Sequence, residues 1–233
     1  MLDEPPLLRI RREFARPPAE VMAAFRDVPA GFIVDAQNGR GSLDRAIKPL
    51  FPHHPGMDRC FGTALTCACG PDDNMALAAA VAVAKPGDVI MCSTEGFEHG
   101  ACCGDLLAGI ARNRGVAGIV TDGMMRDGQG LRDMGLPVFA RGITPNSCVR
   151  SGPGTVGLPV VIGGRSVASG DLVIADEDGV VTVPAADIAR VVAKLEQVKA
   201  AEASMLAKVK GGLKAPPWME ALLAAGHRVE WVD

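Results

Sequence analysis

Hydrophobic positions recur along this chain in two ways, and the two alternate through its first two thirds. Spacings of three and four residues predict helices, whereas short continuous apolar runs bounded by glycine and proline predict buried strands. Helices are therefore expected at residues 17–28, 73–84, 105–114 and 128–134. Strands are expected at residues 59–68, 88–92, 116–121 and 137–140. The segment 31–50 is predicted to be rich in loops, with a short helical piece.

The pattern changes near residue 159. Gly163-Gly164 and the turn at 176–179 interrupt short apolar runs at 171–174 and 180–183, which predicts β-hairpins. A long amphipathic helix is then expected at 185–210 and a terminal helix at 218–225. The outer face of the long helix carries alternating charges, which suit either plain solvation or a contact with a neighbouring subunit.

The two patterns together indicate the fold class. Alternating helix and strand is typical of an α/β unit, whereas the hairpin-rich segment is not. We therefore predict a layered mixed α/β sandwich with a long C-terminal helix. It would form one domain over residues 1–233, with a helical extension at about 185–233. A plain doubly wound fold is the alternative, although the hairpins are difficult to place in it.

Composition narrows the class of protein. Hydrophobic residues make up 48% of the 233, so a large core can be buried. The 24 basic and 27 acidic residues nearly balance, and aromatic residues are only 4%, so no nucleic-acid or anionic-membrane partner is expected. The longest apolar run, 75–84, is about half of a membrane span. Seven cysteines, an odd number, favour free thiols and a cytoplasmic location.

Two short segments carry candidate chemistry. Gly104, Asp105, Leu106 and Leu107 open a predicted helix, whose first backbone N–H groups have no internal partner and can receive an anion. Asp105 suits the N-cap position. Twenty residues further on, the pair 126–127 follows a predicted strand and a glycine turn, where catalytic residues of α/β proteins tend to lie.

Arg126 and Asp127 form this second segment. An arginine offers a planar fork to a carboxylate or an enolate, and a carboxylate offers a hard oxygen ligand to magnesium. These residues therefore predict a site for an anion and a metal ion. The alternatives are a surface ion pair at 126–127 and an ordinary helix cap at 104–105.

The chain resembles the 4-hydroxy-4-methyl-2-oxoglutarate aldolase family, in the superfamily named after regulator of ribonuclease activity A. The resemblance extends from about residue 18 to residue 181, and its most specific part is an Asp, twenty residues, then Arg-Asp. The matching motifs are Asp35-Ala36 with Gly39-Arg40, Pro86-Gly87-Asp88-Val89, Gly104-Asp105-Leu106-Leu107, Gly118 to Gly123 leading to Arg126-Asp127, and Gly170-Asp171 with Ala175 to Gly179.

The resemblance implies a role for each residue of the site. The amides of residues 104–107 would bind the carboxylate of a pyruvyl substrate, and Arg126 would bind substrate and stabilise the developing enolate. Asp127 would ligate a divalent cation, Mg²⁺ or Mn²⁺. Asp105 would lie beside a metal-bound water and assist proton transfer. Glu202 is expected to reach this site from an adjacent subunit.

The resemblance also implies a fold, an activity and an assembly. The fold would be an α/β/β sandwich of the swivelling β/β/α type. The substrate would be a small 2-oxo acid such as 4-hydroxy-4-methyl-2-oxoglutarate or 4-carboxy-4-hydroxy-2-oxoadipate, cleaved to pyruvate, with oxaloacetate decarboxylation through the same enolate. The assembly would be a homotrimer or homohexamer.

A non-catalytic protein-binding regulator is the alternative function. The ribonuclease regulators share the fold but lack the acidic residue after the arginine, so Asp127 favours an enzyme. Some family members are labelled methyltransferases, but we find no G-x-G-x-x-G nucleotide loop after a strand.

Several other polar groups have a functional and a structural interpretation. A zinc site is conceivable at Cys67, Cys69, His99, Cys102 and Cys103, although buried thiols fit their spacing better. His53-His54 suits a surface loop, and 72–74 a helix cap, with Asn74 a candidate to face the active site. The acidic run 176–178 fits a hairpin turn better than a calcium loop. Arg40 and Asp44 are candidates to contact the distal part of the substrate.

Overall fold

A computed structural model describes residues 6–232, which form a mixed α/β fold. The strands are β1 (Leu8–Ile10), β2 (Lys48–Pro49), β3 (Cys60–Ala68), β4 (Asp88–Ser93), β5 (Ala101–Cys103), β6 (Gly118–Thr121), β7 (Met124–Met125), β8 (Val138–Ala140), β9 (Gly142–Ile143), β10 (Gly154–Val156), β11 (Val160–Ile162), β12 (Arg165–Val167), β13 (Leu172–Asp176) and β14 (Gly179–Val183). The helices are α1 (Ala19–Ala23), α2 (Ala30–Ala36), α3 (Met75–Val83), α4 (Asp105–Asn113), α5 (Gly128–Met134), α6 (Ile188–Lys210) and α7 (Pro217–Ala225).

Four parallel strands, in the order β3-β4-β6-β8, form the centre of the large sheet. Strands β4 and β6 are buried along their whole length, as expected for parallel strands covered on both faces. The β13–β14 hairpin pairs antiparallel with the first part of β3, and β10 pairs antiparallel with its last part. The predicted mixed α/β fold is thus confirmed, and the plain doubly wound alternative is wrong because these antiparallel strands occupy the sheet beside β3.

Three apolar clusters stabilise the layers. The first lies between the sheet and helices α3, α4 and α5. The second packs the β11–β12 hairpin against the opposite face of the central strands. The third packs α2 and α6 on the β13–β14 hairpin. The first cluster lies beneath the candidate site, so the site rests on a rigid, close-packed layer.

The first predicted helix is shorter than expected. Helix α1 covers only Ala19–Ala23, and the chain then continues in tight turns to Val28. Asp27 takes a left-handed backbone with φ of 59°, and the following Val28 precedes Pro29, which disfavours helical geometry in the residue before it. Phe25 and Val28 are buried, so core packing holds this irregular segment. In the segment predicted to be rich in loops, the helical piece is α2.

The long C-terminal helix is confirmed. A 3-10 turn at Ala185–Asp187 leads into α6, whose buried residues Ile188, Val191 and Leu195 are on the predicted apolar side. The helix ends at Gly211-Gly212, as the glycine pair predicts. Residues 200–232 contain no buried position, so this part of the chain extends away from the core. Within the described range, no helix combines the length and the apolar character that crossing a membrane requires.

Candidate active site

A second, small sheet carries the candidate site. Strands β5, β7 and β9 run parallel, with Ala101 paired to Met124 and Met124 paired to Gly142. The Arg126 amide donates to the Cys103 carbonyl at 2.9 Å, which extends the ladder past the strand ends. Parallel strands end at one edge, so the residues that follow β5, β7 and β9 meet there, where ligands of open α/β sheets bind. The sequence did not indicate these strands of two or three residues.

Helix α4 begins directly after β5. Gly104 is its N-cap, with extended backbone angles of φ −122° and ψ −172°. The prediction that Asp105 is the N-cap is wrong, because Asp105 is already the first helical residue. Its Oδ1 accepts a hydrogen bond from the Leu106 amide at 2.7 Å. Residues 104–107 of the first turn of α4 line the cavity, and anion binding by their amides stays a prediction.

Arg126 and Asp127 lie against this helix start. Arg126 Nε is 3.2 Å from Asp127 Oδ2, and the two side chains are 38% and 42% exposed. Nη1 of Arg126 also donates to Ser147 Oγ. A Cβ placed on Gly104 would collide with Asp127 Oδ2 and would lie 3.1 Å from Arg126 Nε. The structure therefore brings together the two segments that are separated by twenty residues in sequence, and only glycine at 104 leaves room for this contact.

The backbone of Asp127 takes the left-handed conformation, with φ of 59° and ψ of 49°. Non-glycine residues adopt it at some cost in strain, aspartate more readily than most, and such residues cluster at functional sites. The Asp127 carbonyl accepts from the Leu131 amide at 2.8 Å and so starts α5. This geometry turns the carboxylate back towards α4.

Asp105 is the second carboxylate of the site. Its side chain packs against Gly130 of α5, where an added Cβ would collide with its Oδ2. Asp105 is half-buried and lines the same cavity as Arg126 and Asp127. Two carboxylates and a guanidinium thus converge on one space beside a helix N-terminus.

The cavity has a volume of about 350 Å³, within the range of small-molecule sites. Its walls combine apolar side chains with polar and charged ones. It is lined by Asn74, Ala78, Ala101, Cys103, Gly104, Asp105, Leu106, Leu107, Ile110, Arg126, Asp127, Ser147, Cys148 and Arg150.

Asn74 occupies the N-cap position of α3, but its side chain lines the cavity and does not cap the helix. It precedes α3, but the side chain that caps this helix belongs to Asp73, whose Oδ1 accepts from the Met75 amide at 2.7 Å. Asn74 instead lines the cavity, and its Nδ2 donates to the Cys102 carbonyl at 3.0 Å. Its Oδ1 is buried and has no hydrogen-bond partner among residues 6–232. A buried acceptor without a donor is costly, so this atom is suited to receive a hydrogen bond from a ligand.

The loop after β9 contributes residues that sequence reasoning missed. Ser147, Cys148 and Arg150 line the cavity from this loop. Burial raises the pKa of the Cys148 thiol to about 11, so it is a neutral group rather than a nucleophile. The available signal was the polar run that begins at Thr144, but its path depends on distant hydrogen bonds.

Glu202 does not line this cavity within residues 6–232. It is exposed on the outer part of α6, beyond the last residue that this helix buries. The helix packs on α2 in a different apolar cluster from the one beneath the site. A role for Glu202 therefore requires a second copy of the chain, and it stays a prediction.

The donor set fits a magnesium-like ion better than zinc. No group of three or more His, Cys, Asp or Glu side chains in residues 6–232 is arranged to hold a metal ion. All seven cysteines are free thiols and six are buried, as the structural interpretation predicts. Magnesium, in contrast, is often held by one or two carboxylates with water in the other positions. Asp127 and Asp105 supply hard oxygens of this kind.

The remaining candidates have structural roles. Asp176 ends β13, and its Oδ2 accepts from the Ala30 amide at 2.7 Å while Oδ1 accepts from Asp178, which confirms the hairpin turn. His53 is exposed in its loop, and its Nδ1 lies 3.3 Å from Glu177 Oε1. Asp44 Oδ2 pairs with Arg141 Nη2 at 2.6 Å. Within residues 6–232, neither Asp44 nor Arg40 lines the candidate cavity.

A larger groove, of about 680 Å³, lies between the N-terminal segment and the start of α6. Its lining is almost entirely apolar, and its only charged residues are Arg16, which pairs with Asp88, and Glu20. It lacks the convergent polar groups of the smaller cavity, so the smaller cavity is the better candidate site.

Comparison with known proteins gives a consistent result. Residues 30–182 match the model of the RraA-like family, described as Aldolase/RraA. A protein of Halalkalibacterium halodurans named "Putative 4-hydroxy-4-methyl-2-oxoglutarate aldolase" is 34% identical over 181 residues, covering 78% of this chain and 84% of that protein.

Two solved structures are similar over most of their length. One is an uncharacterized protein from Pseudomonas syringae pv. tomato, with a TM-score of 0.73, 25% identity, and coverage of 86% of this chain and 97% of that chain. The other is RraAS2 from Streptomyces coelicolor, described as an unusual member of the RNase ES inhibitor RraA protein family. Its TM-score is 0.73 and its identity 28%, with coverage of 83% of this chain and 100% of that chain.

Proposed function

The chain belongs to the RraA-like (Aldolase/RraA) family, and from that premise we propose that it is a divalent-metal-dependent lyase. Its substrate is a 4-hydroxy-2-oxo acid of the 4-hydroxy-4-methyl-2-oxoglutarate or 4-carboxy-4-hydroxy-2-oxoadipate type, which it cleaves to pyruvate. The observation that carries this proposal is the contact of Arg126 and Asp127 with Gly104 at the start of α4.

The pyruvyl part of the substrate has a natural place in the cavity. The first backbone N–H groups of α4 have no carbonyl partner in a preceding turn and can receive an incoming anion, although the Leu106 N–H already donates to Asp105 Oδ1 and would share its hydrogen bond with the anion. They would hold the 1-carboxylate, while the Arg126 guanidinium would donate to the 2-oxo oxygen. The amides are fixed by the helix backbone, and the guanidinium is held by the side chains of Asp127 and Ser147, so little reorganisation is needed when the substrate arrives.

Cleavage breaks the bond between C3 and C4. As the 4-hydroxyl loses its proton, its electrons form the new carbonyl, and the C3–C4 pair moves into the 2-oxo group to give the enolate of pyruvate. Arg126 stabilises the negative charge on that oxygen as it develops. Protonation at C3 then yields pyruvate. Oxaloacetate decarboxylation would pass through the same enolate, with carbon dioxide as the leaving group.

The two carboxylates have different tasks in this proposal. Asp127 would hold the divalent cation, Mg²⁺ or Mn²⁺, through hard oxygen atoms. When bound, the cation supplies Lewis-acid stabilisation of negative charge. Asp105 would accept and return a proton beside it. The free Oδ1 of Asn74 would accept a hydrogen bond from the substrate hydroxyl, which supports the view that the cavity binds a polar ligand.

We also propose that the active form is a homotrimer or homohexamer. The exposed position of Glu202 on α6, beyond the last residue that this helix buries, supports a contact with the cavity of a neighbouring copy. A dissociated monomer would then lose activity, and Glu202→Gln would lower turnover without changing the fold.

A protein-binding regulator is the second candidate, because RraAS2 is described as a member of an RNase inhibitor family. The cavity and the carboxylate at position 127 favour the enzyme, since a protein-binding surface requires neither.

The test is pyruvate release by the purified protein from both proposed acids and from oxaloacetate, with Mg²⁺ and then with excess chelator. We expect Mg²⁺-dependent release that Asp127→Ala abolishes while thermal unfolding is unchanged. A folded, metal-loaded protein that releases no pyruvate from any of the three, and that copurifies with a nuclease or helicase, would establish the regulator instead.

A further inference from the structure

The cavity contains a second arginine that the mechanism does not use. Arg150 lines the same space as Arg126, from the loop that follows β9. It is exposed, and it forms no ion pair or side-chain hydrogen bond with any residue in the range 6–232. Arg126, in contrast, is occupied by Asp127 and Ser147.

The position of Arg150 is held from both sides. On one side, the Val149 amide donates to the Asp72 carbonyl at 2.8 Å, and the Val149 carbonyl accepts from the Asn74 amide at 3.1 Å. On the other side, Asp73 Oδ2 accepts hydrogen bonds from the amides of Ser151 and Gly152. The backbone at Arg150 is therefore tied to the segment before α3, although its side chain is free.

Burial opposes ionisation of Asp73, but its three backbone N–H donors outweigh burial and hold its pKa below the ordinary value. The carboxylate that anchors the loop is therefore ionised at neutral pH. The anchor makes the placement of Arg150 a built feature of the cavity rather than an accident of a loose loop.

The charged side chains of the cavity differ in whether they already have a partner. Its charged side chains are Arg126, Arg150, Asp105 and Asp127, and the Arg126–Asp127 pair is already formed. Asp105 and Asp127 are the groups proposed to face the cation. Within residues 6–232, Arg150 is left as a positive fork without an anionic side chain of the protein to bind, and a planar guanidinium is suited to a carboxylate.

We propose that Arg150 binds a second carboxylate of the substrate, so that the cavity selects dicarboxylic 2-oxo acids over monocarboxylic ones. The inference rests on the proposed function, because it takes the first carboxylate to lie on the amides of α4. It extends that function by assigning the residue that recognises the distal end of the acid. This recognition comes from the chain's own loop.

The experiment measures binding rather than turnover. Isothermal titration of the Mg²⁺-loaded protein compares 2-oxoglutarate, which has two carboxylates, with pyruvate, which has one. In Arg150→Ala, 2-oxoglutarate affinity should fall by about tenfold or more, the range for losing a charge-assisted hydrogen bond, while pyruvate affinity is unchanged. Arg150→Lys should restore part of the loss because it keeps the charge without the fork. The exposed Arg26, which does not line the cavity, gives the matched control Arg26→Ala.

The binding and turnover results together distinguish failure of the Arg150 subsite from failure of the proposed function. The inference is overturned if the wild-type protein binds 2-oxoglutarate no more tightly than pyruvate, or if Arg150→Ala weakens both acids equally or neither. A protein that cleaves the proposed substrates yet keeps its preference in Arg150→Ala retains the proposed function and loses this subsite. A protein that loses its preference but never releases pyruvate retains the subsite and loses the proposed function.

Discussion

The large sheet and the small β5–β7–β9 sheet of this protein are stabilised in different ways. In the large sheet, strands such as β4 and β6 are continuous apolar runs, buried along their whole length between helices and hairpins. In the small sheet, β5, β7 and β9 have only two or three residues each, and polar or charged residues such as Asp105, Arg126 and Thr144 follow shortly after them. The large sheet is stabilised mainly by burial. The small one depends on backbone register and on a few close contacts, so single atoms there decide chemistry rather than stability.

The strongest test of the large sheet is the ion pair at the first residue of its central strand β4. Asp88 starts β4 with a side chain only 1% exposed, and Arg16 donates to it through two nitrogens at 2.8 and 2.9 Å. Arg16→Ala leaves a buried carboxylate without its partner and should lower the free energy of unfolding by about 3 kcal/mol. Urea unfolding would show a lower midpoint with an unchanged slope.

The control for this prediction removes both charges. Arg16→Ala combined with Asp88→Asn should recover part of the stability, since no buried charge remains. The folded fraction of either variant should retain the wild-type kcat/KM. An unchanged midpoint in Arg16→Ala would mean that apolar burial alone stabilises the start of β4.

The next largest effect is expected from a substitution beside the small sheet, and it should change kcat/KM but not stability. Arg126→Ala should lower kcat/KM for pyruvate release by about hundredfold, equivalent to roughly 3 kcal/mol of transition-state stabilisation. Because the side chain is 38% exposed, unfolding should be almost unaffected. Steady-state kinetics and thermal melts on the same sample measure both. Arg26→Ala is again the matched control. A large loss of stability in Arg126→Ala would contradict the view that contacts in the small sheet determine activity rather than stability.

A smaller effect is expected from one added methyl group. Gly104→Ala would push the Asp127 carboxylate and Arg126 away from the start of α4, and activity should fall on the order of tenfold because the reacting groups are misplaced. Gly109→Ala in the same helix is the control, since its Cβ would meet only the flexible Met134 side chain, with Sδ at 2.9 Å. Equal activity of both variants would show that the close contact at Gly104 is unimportant.

The smallest effect concerns pH. The pKa of Asp73 lies below the ordinary 3.8, so its carboxylate contributes stability above the unfolded-state pKa, and this contribution is lost as pH falls through the folded-state pKa. Denaturant unfolding at several pH values should therefore show that wild-type stability declines more steeply below the ordinary value than that of Asp73→Asn. Parallel curves would remove Asp73 as an electrostatic anchor of the loop that carries Arg150.

The same contrast explains what sequence reasoning could predict. The continuous apolar run of β4 and the periodic apolar stripe of α6 are both local sequence signals, so these elements were predictable to within a few residues. Met124–Met125 has no period, and its pairing with β5 and β9 depends on tertiary structure. The end of the first helix was predicted too late because tight turns and core packing end it after Ala23.

The candidate site divides in the same way. Residues 104–105 were predictable from the helix that opens there, and residues 126–127 from the predicted strand and glycine turn that precede them. Arg150 was not, because its place depends on the Asp73 carboxylate, about eighty residues earlier in the chain. Local patterns identify groups that strands deliver directly, and they miss groups that a loop delivers through distant hydrogen bonds.

The site proposed for a pyruvate enolate consists of Arg126, Asp127 and the start of α4. A crystal structure of the protein with Mg²⁺ and oxalate, a stable mimic of that enolate, is the decisive experiment. We expect oxalate on the amides of residues 104–107 and on Arg126, with the cation on Asp127. Oxalate and Mg²⁺ bound elsewhere, or the Arg126–Asp127 pair turned away from α4, would refute the proposed site.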